Sequence, residues 1–120
     1  MQIEFKALTV DLTDDIRAYA VEKVGMLEKL LGNIEEENVR YEVELAQDLK
    51  QQSGTIYRAD ITVFAGPEKT HAVGHGETMF AAIDQSKDDL SRRLRRNKTK
   101  RLDFLRRGGA KIKRMVRFWE

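Results

Sequence analysis

Residues 2–8 alternate, with Ile3 and Phe5 on one side and Gln2, Glu4 and Lys6 on the other. A period of two predicts a strand with one buried face. The period then changes. Ile16, Ala20, Val24, Leu27 and Leu31 recur at spacings of three and four, which predicts a helix with one apolar stripe. Thr13 followed by Asp14 and Asp15 supplies its start: a hydroxyl to cap a free amide, then two carboxylates near the positive end of the helix dipole. Gly32-Asn33 supplies a left-handed stop. Gly25, inside this helix, weakens it by about 1 kcal/mol relative to Ala.

Three more strands follow in the pattern. Over 39–46, Val39, Tyr41, Val43 and Leu45 alternate with Arg40, Glu42 and Glu44. A polar loop, Lys50–Gly54, leads into 55–65, where Tyr57, Ala59, Ile61 and Val63 share one face and Arg58, Asp60 and Thr62 the other. Gly66-Pro67 turns the chain into Thr70–His75, whose inner face carries the small residues Ala72 and Gly74. Thr78 is placed to cap a second, long helix striped by Met79, Ile83, Ser86, Leu90 and Leu94. The order β-α-β-β-β-α, with sheet strands apolar on one face only, predicts an α+β fold. It is a four-stranded, mostly antiparallel sheet with two helices packed on one face. Gly108-Gly109 is expected to break the second helix. After it Ile112, Met115, Val116 and Trp119 keep helical spacing among basic residues.

The 120 residues are 41% hydrophobic and 35% charged, consistent with one folded domain and a polar appendage. There is no cysteine, so disulfides and thiolate metal sites are excluded. The start of the chain lacks the charged and apolar regions of a signal peptide, and no apolar stretch approaches the roughly 20 residues that cross a bilayer. A soluble, cytoplasmic protein is expected. The net charge of +2 conceals a strong asymmetry. From Lys87 to Glu120 there are 14 basic and 4 acidic side chains, while residues 1–86 hold 8 and 16. A cationic third of this kind suggests a polyanionic partner, most often nucleic acid.

Helical geometry sharpens that expectation. With Leu90 at zero and about 100° per residue, Ile83 and Leu94 lie within about 40° of it. Arg92, Arg95 and Arg96 fall near roughly 200°, 140° and 240°, on the opposite side. Asn97 and Arg101 return to the apolar sector, so the helix is expected to outrun the sheet near residue 96 and project from it. Arginine suits bidentate phosphate binding, and each phosphate contact releases condensed counterions. The same charge also fits an acidic protein, a membrane surface or simple solvation.

Other chemistry is poorly supported. His71 and His75 have the i,i+4 spacing of a zinc helix but lack its glutamate and fall in a predicted strand, where four residues span about 13 Å. They belong to the outer sheet face. Gly74-His75-Gly76 begins like a dinucleotide fingerprint whose third glycine is missing, and room for packed helices explains it better. Glu35–Glu37 form a loop run, and Glu42 and Glu44 lie on an exposed strand face. No Ser/His/Asp set or buried acid pair emerges, so no enzyme, cofactor, metal or small-molecule substrate is expected. Tyr19, Tyr41, Tyr57 and Phe80 fit inward periodicities, while Ile56 and Phe64 fall on the outer sheet face.

Several segments share their wording with one family. They are the opening MQIEF, Val21-Glu22-Lys23-Val24, Leu27-Glu28-Lys29, Ala59-Asp60-Ile61-Thr62-Val63 and Met79-Phe80-Ala81-Ala82-Ile83-Asp84. The last is followed by Leu90, Arg92, Leu94, Arg95-Arg96, Lys98 and Lys100. Over about residues 1–100 the chain resembles the ribosome hibernation promoting factor and ribosome-associated inhibitor family. The resemblance implies a non-enzymatic protein that binds the small ribosomal subunit, and the whole ribosome, in the channel between head and body. There it would occupy the space of messenger RNA and transfer RNAs and silence translation during dormancy. Lys23, Lys29, Arg92, Arg95, Arg96, Lys98 and Lys100 match basic positions of the family and are the implied rRNA contacts. Lys87, Arg93 and Arg101 extend the candidate surface.

The chain departs from the family at four places: Met26 and Asp89 replace common basic residues, Asn97 a common aromatic and Arg93 a frequent glutamine. The length suggests a short-type member, with residues 1–100 as the ribosome-binding domain and 101–120 as a basic C-terminal extension. The alternatives are a general double-stranded RNA-binding domain, which also places three strands between two helices, and a regulatory module docking an acidic protein.

Overall fold

The computed structural model describes residues 2–32, 34–50, 54 and 56–106; for Glu36 and for 98–106 it describes the backbone alone. The elements are β1 (Gln2–Leu8), α1 (Asp14–Gly25), β2 (Val39–Gln47), β3 (Tyr57–Ala65), β4 (Glu68–Gly76) and α2 (Met79–Arg106). The sheet runs in the order β1-β2-β3-β4. β1 pairs parallel to β2, and the β2–β3 and β3–β4 pairs are antiparallel. The crossover demanded by the parallel pair is α1 itself.

The strand alternation places Tyr41, Val43 and Leu45 beside Val63, Ile61 and Ala59 in register, all buried. Ala20, Val24, Leu27, Met79, Ile83, Leu90 and Leu94 from the helical side complete one core cluster with them. The α+β fold with both helices on one face is therefore the observed one. Thr13 caps α1, its hydroxyl accepting from the Ile16 amide, and Thr78 caps α2, accepting from the Ala81 amide at 3.1 Å.

The first helix is shorter than its apolar stripe predicts. It ends at Gly25, and the chain continues through tighter turns in which the Met26 and Leu27 amides reach back only three residues, to Lys23 and Val24. A 3-10 turn follows at Glu28–Leu30. Gly25 is the weak point of the helix, and the tighter winding still turns Leu27 and Leu31 into the core. Gly32 takes the expected left-handed conformation, φ +76°.

Two glycines set how closely α2 approaches the sheet. A Cβ on Gly74 would overlap the backbone of Ala82 and Ser86, and one on Gly76 would stand 2.6 Å from the Ala82 nitrogen. The Ser86 hydroxyl, fully buried, donates to the Ala72 carbonyl at 3.0 Å and fixes the helix to β4. The Tyr41 hydroxyl is buried with no partner among the described residues; burial, and then the charge of Glu28, push its pKa up.

Candidate nucleic-acid interface

The capped, sheet-seated α2 presents its arginines outward. Ile83, Leu90 and Leu94 are buried and Arg92, Arg95 and Arg96 are exposed, as the helical geometry requires; Arg93, about 60° from Leu90 on the wheel, is exposed as well. Sheet contact persists one residue past the expected point. Asn97 is half-buried, and its side-chain amide donates to the Thr70 hydroxyl at 3.3 Å. Its place in the apolar sector is therefore an anchor to β4, made with a polar bond. From residue 98 the backbone stays helical to Arg106, crossing residue 100 without a break. The side chains of Lys98, Lys100 and Arg101, and the whole of residues 107–120, lie outside the described residues.

The individual cations differ in their surroundings. Arg92 pairs with Asp89 one turn earlier, so that acid is its local counterion. No ion pair to Arg93 or Arg96 is seen among the described side chains. Lys87 is only 21% exposed and lies 3.4 Å from Asp88. Lys29 is exposed on the 3-10 turn after α1, which touches α2. Lys23 points elsewhere: its ammonium lies 3.4 Å from Asp84 Oδ1 and 5.2 Å from the centre of the Tyr19 ring. Among these residues the structure thus groups four arginines on one exposed helix face, with Lys29 on the neighbouring turn. It sets Lys23 and Lys87 apart as internally engaged.

The opposite face of the sheet behaves differently. Arg40 pairs with Glu4 and Glu42, Arg58 with Glu44 and Asp60, Lys6 with Glu44, and His71 with Asp60. Phe64 lies under the Arg40 guanidinium, 4.3 Å from the ring centre, with Lys69 at 5.6 Å. Arg40, Arg58, Lys6 and Lys69 are met by carboxylates or by a ring, so among the described residues this face offers polyphosphate little uncompensated charge. His71 and His75 are exposed on it, as expected, and His71 is within 2.7 Å of Asp60. Phe80 corrects one expectation: it is 37% exposed, packing edge-on against Tyr19 with ring centres 5.0 Å apart. It stands in the first turn of α2, at the start of the helix.

A mixed sheet backed by two helices, one of them arginine-studded on its solvent side, defines an α+β domain with a cationic helix face. The chain belongs to the Sigma 54 modulation protein / S30EA ribosomal protein family, whose model matches residues 2–102. It is 33% identical over 104 residues to a ribosome hibernation promoting factor of Azotobacter vinelandii, covering 86% of this chain and 88% of that protein. It is 29% identical over 100 residues to one of Salmonella typhimurium, covering 83% and 96%. The N-terminal domain of Protein Y from Thermus thermophilus superposes with a TM-score of 0.67 at 25% identity, covering 80% of this chain and 98% of that one. A ribosomal subunit interface protein from Coxiella burnetii shares the fold, with a TM-score of 0.62 at 16% identity, covering 82% and 99%.

Proposed function

We propose that this protein is a non-enzymatic ribosome hibernation factor. It binds the small ribosomal subunit in the channel for messenger and transfer RNA and inhibits translation by occupying that space. The observation that carries the proposal is the arginine face of α2 on a fold of this family. Arg92, Arg93, Arg95 and Arg96, with Lys29 beside them, hold the domain on rRNA phosphates. Lys98, Lys100 and Arg101, further along the same helix, add contacts beyond this face on this reading. Such contacts position a protein without reading sequence, which suits a plug more than a sequence-specific regulator. The names of the relatives, which describe hibernation promotion and a subunit interface, support the same reading.

Competition tests it. Purified small subunits are saturated with this protein and challenged with messenger RNA and initiator transfer RNA. Mutual displacement and a stalled translation extract are expected. Full simultaneous occupancy would reject the channel. Equal affinity for a plain RNA duplex would favour a general double-stranded RNA-binding domain.

A further inference from the structure

Among the described residues, the polar side chains that lock α1 to α2 are Tyr19, Lys23 and Asp84. Tyr19 and Lys23 are four residues apart on α1; Phe80 and Asp84 are four apart on α2. Each pair therefore sits on one side of its own helix, and the two pairs face each other. The Tyr19 hydroxyl donates to Asp84 Oδ1 at 2.6 Å. The Lys23 ammonium lies 3.4 Å from the same oxygen and over the Tyr19 ring, whose edge packs on Phe80. Four side chains, two from each helix, are mutually engaged.

We propose that Tyr19, Lys23 and Asp84 form a positioning clamp that fixes α1 against α2 and so sets the spacing between Lys29 and the arginines of α2. In this arrangement Lys23 is a positioning residue and not a phosphate contact. The proposal rests on the ribosome-binding reading above. Three features carry it. First, Lys23 is turned inward: its side chain is 24% exposed, against 63% for Arg92. Second, moving its ammonium to a phosphate would separate it from Asp84 and from the Tyr19 ring, leaving Asp84 with the tyrosine hydroxyl alone. Third, the core residues that the two helices bury along these stretches, Ala20 and Val24 on α1 and Ala82 and Ile83 on α2, are small or aliphatic. Apolar packing is non-directional, whereas a shared carboxylate defines one register.

The two roles for Lys23 predict opposite signs. If it binds phosphate, removing Asp84 releases a cation and strengthens binding. If it positions, removing Asp84 weakens binding even though net positive charge rises. The experiment measures affinity for purified small subunits across a range of salt for wild type, Asp84→Asn, Lys23→Met, the double variant and Lys29→Ala. Thermal unfolding confirms that each is folded.

The expected result is a loss of about threefold to tenfold for either clamp variant and no further loss in the double, the mark of residues acting as one unit. The salt slope stays at the wild-type value for all three, while Lys29→Ala lowers it. Tighter binding by Asp84→Asn, a reduced slope for Lys23→Met, or additive losses would overturn the clamp. Should Asp84→Asn not fold, Tyr19→Phe removes only the hydroxyl and carries the same expectations at a smaller amplitude. A wild-type protein that bound no subunits at any salt would instead sink the ribosome-binding reading itself, an outcome distinct from the others.

Discussion

At the scale of single residues, the smallest side chains are the least replaceable. Gly74 and Gly76 lie where α2 touches β4 backbone to backbone. Gly74→Ala is expected to lower stability by about 3 kcal/mol or prevent folding, because neither Ala82 nor Ser86 can move without shifting the helix. Urea unfolding measures this. Thr13→Ala removes the cap of α1 and should cost about 1 kcal/mol in the same assay. The sequence shows that small residues line the inner face of β4, and period-two alternation is enough for that. How close the helix comes is a long-range distance that no local pattern contains. Asn97 illustrates the same limit. Its sector on the helical wheel is legible, but the Thr70 partner that makes a polar residue acceptable there is 27 residues away.

At the scale of elements, strand alternation and capping residues locate all four strands and both helix starts. The end of α1 was hidden because Leu27 and Leu31 keep helical spacing while the backbone tightens after Gly25. The clamp between α1 and α2 was hidden for a similar reason. Tyr19 and Lys23 look like a core aromatic and a surface cation until Asp84 is brought beside them. That contact also has a pH signature. The hydrogen bond to Asp84, burial and the carboxylate charge raise the Tyr19 pKa above its ordinary value. For Lys23, burial pulls downward, but the charge of Asp84 and the Tyr19 contact together outweigh it and the pKa is raised.

Both groups hold their protons more tightly in the folded state. Their contribution is therefore complete below the ordinary values near about 10 and 10.5, and is lost as pH rises through the folded ones. Between pH 8 and pH 11, wild type should lose more stability to urea unfolding than Asp84→Asn does. Parallel losses would show that the cluster is not coupled to folding.

At the scale of the whole molecule, charge is sorted by face. The outer sheet face pairs Arg40, Arg58, Lys6 and His71 with carboxylates, while the solvent side of α2 gathers four exposed arginines. The sequence already separates an acidic first part from a basic last third. Which cations remain available could not be read there, because Asp84 meets Lys23 only once the two helices are packed together. Among the described residues no helix is long and apolar enough to cross a membrane.

The most direct measurement is the salt dependence of small-subunit binding by wild type and by the triple variant Arg92→Ala, Arg95→Ala, Arg96→Ala. Loss of three phosphate contacts should flatten the slope of log K against log salt by about 2 to 3 and weaken binding at every salt concentration tested. A triple variant that binds as tightly as wild type, with the same slope, would contradict the account.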